Sequence, residues 1–164
     1  ALERLFVIED IPAWNPAIRS KTAIRSGTKR GFVDPSLACA SLGLTYEGLM
    51  QDLNTLGFLF ESLVIRDLRI YSQHLGGEIS YYHDRYGLEC DAVLHLRDGR
   101  YALIEMKLGS REIEEGASHL RKLKALIQEH NLKEPSFLMV ITGGQFAYRR
   151  EDGVLIVPIG CLKP

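Results

Sequence analysis

The spacing of apolar residues predicts helices in the first half of the chain. Between residues 56 and 64 the apolar positions recur three and four apart, the period of one helix face, and Gly76 with Gly77 is a typical helix end. Upstream, Asp34 followed by Pro35 is typical of a helix N-cap and first helical position, and Gly43 closes this shorter helix. The pattern therefore predicts a short helix followed by a long one.

The pattern changes to that of strands near residue 79. Strand-like apolar segments occupy residues 79–83, 88–96 and 101–108, and Asp98-Gly99 is a hairpin signal between the last two. Helical spacing returns over residues 113–130, and apolar runs predict strands at residues 137–142 and 154–159. We predict an α/β fold with a mixed sheet flanked by helices, because a crossover helix places the following strand parallel to its neighbour.

Composition indicates a compact globular domain. The 164 residues are 46% hydrophobic and 25% charged, and no run approaches the roughly 18 apolar residues that a membrane span needs. The first residues also lack the order of a signal peptide, so we expect a cytoplasmic protein without a membrane segment. The apolar start at residues 5–8 suggests that this sequence is a piece of a longer chain. The helix start near residue 34 divides the sequence into two parts, residues 1–33 and 34–164.

The cysteines do not suggest a metal site. Cys39, Cys90 and Cys161 are scattered along the chain, with no CxxC and no matching histidine pair that would indicate zinc. We expect all three to be reduced and buried.

Charge offers only a local argument for a nucleic-acid partner, because the net charge is −1. Between residues 11 and 33 the charged residues are five cations without a carboxylate: Arg19, Lys21, Arg25, Lys29 and Arg30. Lys122 belongs to a second basic group, with His119, Arg121 and Lys124, on the predicted helix 113–130. Both groups suit contact with phosphates. The alternative, which helix and loop surfaces favour, is an ordinary solvated surface or, for the first group, a surface that docks on an upstream part of the chain.

Three charged residues interrupt the most hydrophobic strands. Glu105 and Lys107 lie two apart in the strand 101–108, so they point to the same face about 7 Å apart. The hairpin at Asp98-Gly99 can bring Asp91, in the preceding strand, beside them. Burying unpaired charge costs several kcal/mol, so the three require mutual pairing or a bound ion. A functional site is one reading; a satisfied internal ion triad or solvent-facing side chains are the others.

The order of these residues resembles a known nuclease signature. Asp91, thirteen intervening residues and then Glu105-Met106-Lys107 after a hairpin look like the PD-(D/E)XK pattern, with Cys90 where that pattern often has proline. Three further segments resemble the C-terminal module of unknown function that follows the ATPase domain in a family of prokaryotic AAA-type proteins. They are Gly57-Phe58-Leu59-Phe60-Glu61, Gly87-Leu88-Glu89-Cys90-Asp91 and Ile104-Glu105-Met106-Lys107-Leu108-Gly109.

The resemblance implies a fold and a partner domain. It implies a restriction-endonuclease-like mixed sheet with an αβββαβ core, of the kind found in Holliday-junction resolvases, over residues 34–164. Residues 1–33 would be a basic hairpin left from a winged-helix-like region, preceded by an ATPase domain. ATP would bind only in that upstream domain, because no GxxxxGK[ST] loop occurs here.

The resemblance also implies roles for individual residues. Asp91 and Glu105 would bind Mg²⁺ or Mn²⁺, with the backbone carbonyl of Met106 as a further ligand. Lys107 would orient or deprotonate the attacking water and stabilise the developing phosphorane charge. Glu61 would be an additional ligand or a partner of Lys107, with Asp67 as the alternative helix carboxylate.

Two functions remain open from the sequence. The first is a metal-dependent endonuclease that hydrolyses phosphodiesters in DNA or RNA. The second is a catalytically inactive module of the same fold that binds nucleic acid or protein for the attached ATPase.

Overall fold

A computed structural model describes residues 7–16 and 27–163. The helices are α1 (Pro35–Leu42), α2 (Tyr46–Gln51), α3 (Leu53–Ser72) and α4 (Ile113–Glu129). The strands are β1 (Ile8–Ile11), β2 (Lys29–Phe32), β3 (Glu78–His83), β4 (Glu89–His95), β5 (Tyr101–Lys107), β6 (Phe137–Thr142), β7 (Tyr148–Arg149) and β8 (Leu155–Pro158). Among the described residues, no helix has the length and apolar character needed to cross a membrane.

Strands β3 to β8 form one six-stranded mixed sheet in the order β3-β4-β5-β6-β8-β7. The first three strands are antiparallel neighbours, and β6 runs parallel to β5 after the crossover helix α4. Strand β8 is parallel to β6, whereas the short edge strand β7 is antiparallel to β8. The predicted mixed α/β architecture is confirmed, including the direction of β6.

The helices begin and end where local chemistry favours it. The side chain of Asp34 accepts a hydrogen bond of 2.8 Å from the backbone amide of Ser36, and Gly43 ends α1 with a left-handed φ of 62°. Asp52 caps α3 in the same way by accepting from the amide of Thr55. Helix α2, which the apolar pattern did not predict, begins at the cap Thr45.

Two apolar layers cover the two faces of the sheet. Helix α4 packs on one face through Ala117, Leu120 and Leu123, each of which is fully buried. Helix α3 packs on the other face, where Val64 and Ile65 contact the underside of β4 and β5. Strand β5 is buried along nearly its whole length because it lies between both helices.

Strands β1 and β2 form a separate two-stranded antiparallel sheet, in which Ile11 lies opposite Lys29. Ile11 is 2% exposed and belongs to the core layer beneath α3, so this hairpin is anchored to the main sheet. Trp14 continues the attachment, because its amide donates to the carbonyl of Tyr81. The division into residues 1–33 and 34–164 stays a prediction.

The cysteine prediction was right about bonding and partly wrong about burial. All three thiols are free, and Cys90 is buried, but Cys39 is half-buried and Cys161 is exposed. Cys161 lies in the short helical turn after β8, beyond the last strand that the core layers cover.

Candidate functional site

Asp91 lies where strands β4 and β5 cease to pair. The last residue pair of their ladder is Ala92 with Ile104. One residue further along, the Asp91 carboxylate accepts a hydrogen bond of 2.8 Å from the backbone amide of Met106. The side chain of Asp91 therefore bonds to β5 beyond the end of the ladder, so its carboxylate lies where the two strands are no longer paired.

Glu105 projects from β5 into a nearly dry environment. It is 2% exposed, and its Oε2 atom lies 3.4 Å from the Nζ atom of Lys107. Its Oε1 atom is buried and has no hydrogen-bond partner within the described part of the chain. His119 on α4 is the nearby imidazole, with Nδ1 3.8 Å from Oε1, which is beyond hydrogen-bond distance. Glu105 is thus an acid with one oxygen left unsatisfied, a costly state for a buried group.

Burial and neighbouring charge shift the protonation of all three site residues. Desolvation, followed by repulsion from Asp91, raises the pKa of Glu105 to about 8. Desolvation, followed by repulsion from Glu61, also raises the pKa of Asp91. Burial alone would lower the pKa of Lys107, but attraction to Glu105 and Asp91 outweighs it and raises that pKa above its ordinary value. The lysine therefore stays a cation between acids that repel one another.

A glycine allows α4 to pass close over these side chains. A Cβ atom at Gly116 would lie 3.3 Å from the Cβ of Glu105 and 3.3 Å from the side chain of Lys107. The close approach explains why a helix-destabilising residue stands inside α4. It also confirms that Glu105 and Lys107 share the face of β5 that α4 covers.

Glu61 reaches the same region from α3. It lines a cavity of about 420 Å³ together with Asp91 and Met106, and its carboxylate lies 2.8 Å from the Nζ atom of Lys29 on β2. Asp67, the alternative helix acid, is the more buried of the two at 15% side-chain exposure against 28%, but it pairs with Arg66 at 2.9 Å. Glu61 is therefore the α3 carboxylate that accompanies Asp91.

The remaining predicted contacts are dispersed. Arg30 pairs with Asp10 at 3.3 Å on the hairpin, and Lys122 is exposed on α4 beside a surface depression that also contains His119. Arg19, Lys21 and Arg25 lie outside the described residues.

The sequence did not predict that Lys29 and His119 lie beside the site residues. Lys29 was predicted as a phosphate contact, yet it pairs with an acid 32 positions away. His119 was grouped with surface cations, although its place three residues after Gly116 puts it on the same side of α4. Helical spacing was a usable signal for His119, whereas the Lys29 pairing has no local signal.

The donor atoms suit a hard divalent cation. Carboxylate oxygens of Asp91, Glu105 and Glu61, with the nearby Met106 carbonyl, are the ligand type that Mg²⁺ and Mn²⁺ prefer. The unsatisfied Oε1 atom of Glu105 and the mutual repulsion of the acids both favour an added cation. Among the described residues, however, no three acidic, histidine or cysteine side chains are already grouped as a metal site. The residues fit the ion chemically, and ligation would require side chains to adjust.

The fold and site together define a mixed α/β domain with an acid–lysine centre, formed by Asp91, Glu105 and Lys107, at the end of its central strands. Residues 56–162 match the family described as Domain of unknown function (DUF4143). Because the match covers more than half of the chain, the protein belongs to this family. No curated protein matches it.

Proposed function

We propose that this domain is a nuclease-like module that hydrolyses phosphodiester bonds in nucleic acid with a divalent metal. The observation that carries the proposal is that Asp91, Glu105 and Lys107 lie together where β4 and β5 stop pairing, and that one buried oxygen of Glu105 has no hydrogen-bond partner among the described residues. An unpaired oxygen is uncommon in a purely structural ion pair, because buried polar atoms are normally paired.

The order of elements supports a restriction-endonuclease-like core. Helix α3 precedes three antiparallel strands, and α4 then leads to the parallel strand β6. This is the αβββαβ order expected from the signature Asp91…Glu105-Met106-Lys107. Similar cores occur in Holliday-junction resolvases, so branched DNA belongs among the substrates to be tested.

Asp91 and Glu105 would hold Mg²⁺ or Mn²⁺, with the Met106 carbonyl and Glu61 as further ligands. When bound, such an ion supplies a Lewis acid for the phosphoryl oxygen and lowers the pKa of a bound water. The chain's own contribution begins with positioning. The amide of Met106 fixes Asp91, and the packing of α4 against β5 fixes Glu105.

Lys107 acts as the fixed cation of the site. Its raised pKa keeps it protonated at neutral pH, which favours charge stabilisation and water orientation over removal of a proton. Its Nζ atom lies 3.4 Å from Glu105 and its side chain is 20% exposed, so the ammonium can contact an incoming phosphate oxygen without leaving the carboxylate. Loss of this cation should lower turnover more than it lowers substrate binding.

The test is cleavage of labelled single-stranded, duplex and branched DNA, and of RNA, in Mn²⁺. We expect the parent to cut at least one substrate and Glu105→Ala and Lys107→Ala to lose activity by at least a hundredfold. Glu129→Ala and Lys133→Ala remove exposed charges of the same types elsewhere and should cut normally. Equal cleavage by all variants would assign the activity to a contaminant and refute the proposal.

A second function is a catalytically inactive module that binds nucleic acid or protein. It is favoured by the absence of a preformed three-ligand group in residues 7–16 and 27–163, and by the pairing of Glu61 with Lys29. Retention of DNA at low salt without any strand break in Mn²⁺ or Mg²⁺ would select this function. In either case we propose that the module acts attached to an AAA-type ATPase, on the strength of the motif resemblance.

A further inference from the structure

The cavity beside Asp91 is roofed by the β1–β2 hairpin. It has a volume of about 420 Å³, and most of its wall is apolar, with Ile8 and Phe32 from the hairpin and Phe58 and Ile65 from α3. Its polar wall includes Glu61, Asp91 and Lys29. The hairpin therefore places Lys29 in the wall of the same cavity as Glu61 and Asp91, two of the proposed metal ligands.

Packing fixes the place of Lys29. It lies opposite Ile11 in the β1–β2 ladder, and Ile11 is 2% exposed in the core beneath α3. The Lys29 Nζ atom lies 2.8 Å from the Oε2 atom of Glu61, and its side chain is 40% exposed. The ammonium also interacts electrostatically with Asp91. It is a monovalent cation in contact with Glu61 and close enough to Asp91 to interact with its charge, on a strand whose partner β1 is anchored in the core by Ile11.

A second cation at these carboxylates would compete with the first. Like charges a few ångströms apart repel, and this repulsion is stronger near a protein surface than in bulk water. The Oε2 atom of Glu61 that accepts from the ammonium would hold a metal less tightly than an oxygen without that competing cation. Binding of a divalent ion should therefore displace Lys29 from Glu61.

We propose that Lys29 is an internal cation that competes with the divalent metal for Glu61 and Asp91, so that the β1–β2 hairpin sets the metal affinity of the site. This inference rests on the proposed function, because it requires the carboxylates to bind metal. It adds to that function a residue, outside the acid–lysine signature, that holds the site in a metal-poor state.

The test is calorimetric titration of the whole chain with Mn²⁺. Lys29→Met removes the charge but keeps an unbranched apolar stem, and we expect it to bind Mn²⁺ about fivefold more tightly, the scale of a half-exposed ion pair. Lys29→Arg keeps a cation and should bind like the parent. Lys133→Met is the control, since it removes an exposed cation whose Nζ atom lies beside Gly99, at the turn between β4 and β5 and away from Asp91.

A second measurement follows Lys29 itself. Acylation of lysines, mapped by mass spectrometry with and without saturating Mn²⁺, should rise severalfold at Lys29 when metal binds, because the ammonium loses its carboxylate partner. Lys133, exposed at a distance, should be labelled equally in both states.

The outcomes separate the two ideas. If the parent binds Mn²⁺ and loses it in Asp91→Asn, while Lys29→Met binds no more tightly, the competition is refuted and the metal site stands. Weaker binding by Lys29→Met would refute it too, because it would make Lys29 a helper of the metal. If no variant binds Mn²⁺, both the competition and the metal-dependent function fail.

Discussion

Replacing Glu105 with glutamine should make the protein more stable at high pH and leave its stability at low pH nearly the same relative to the parent. The carboxylate of Glu105 is 2% exposed, and desolvation followed by repulsion from Asp91 raises its pKa from the ordinary 4.5 to about 8. The folded state therefore holds this proton more tightly than the unfolded chain does. Stability from this group is fully present below about pH 4.5 and is lost as the pH rises through about 8.

The size of the effect follows from the two pKa values. Each pKa unit corresponds to about 1.4 kcal/mol, so the shift from 4.5 to about 8 corresponds to on the order of 5 kcal/mol. Glutamine has nearly the shape of the protonated acid and does not ionise. The free energy of unfolding of Glu105→Gln minus that of the parent should thus rise by up to this amount between pH 4 and pH 9.

Urea unfolding in EDTA at several pH values measures this difference directly, since pH effects common to both proteins cancel. Glu129→Gln, which removes an exposed carboxylate from the C-terminal end of α4, is the control and should show a far smaller change. A difference for Glu105→Gln that stays constant from pH 4 to pH 9 would refute the idea that folding desolvates this acid.

Three other predictions concern the packing around the site and the far edge of the sheet. Gly116→Val should destabilise the protein by about 1–3 kcal/mol in urea unfolding and weaken Mn²⁺ binding, because its Cβ would lie 3.3 Å from the Cβ of Glu105. Gly57→Val, whose Cβ would have no atom of the described residues within 4 Å, is the control and should leave Mn²⁺ binding intact. Asp152→Asn should cost about 1 kcal/mol at pH 7, because hydrogen bonding to Arg150 lowers the pKa of Asp152. The deficit should be complete above pH 3.8 and disappear as the pH falls through the lowered pKa of the folded state, and a deficit that persists once Asp152 is protonated would contradict this role of the carboxylate. Cys161 should react with Ellman's reagent at once, and Cys90, 1% exposed, only on the timescale of unfolding; rapid reaction at Cys90 would show that the β4–β5 core opens in the native state.

Much of the sheet was predictable because its period-two and apolar segments leave little choice. The apolar residues on both faces of β5 predict that it is buried, and the Asp98-Gly99 turn fixes its pairing with β4. That register is what brings Asp91 beside the Glu105 and Lys107 strand. The same reasoning could not find β7, because Tyr148–Arg149 is too short and too exposed to show a period.

The electrostatic surroundings of the site depend on distant residues. Lys29 contacts Glu61 because the β1–β2 hairpin packs beside α3. The two residues are 32 positions apart, so no local sequence pattern could predict this pair. The separation of 3.8 Å between His119 and Glu105 likewise follows from how closely α4 crosses β5 at Gly116. Sequence patterns located the acids and the lysine of the site, while tertiary packing decided which partners they meet.

The most direct test of the acid–lysine centre is the position of a Mn²⁺ ion in crystals of this domain grown with the metal, identified by its anomalous scattering. We predict a peak in contact with the carboxylates of Asp91 and Glu105, absent from crystals of Asp91→Asn grown in the same way. A well-ordered crystal with no peak at these residues in saturating Mn²⁺, or with the metal bound only elsewhere, would contradict the proposed metal centre.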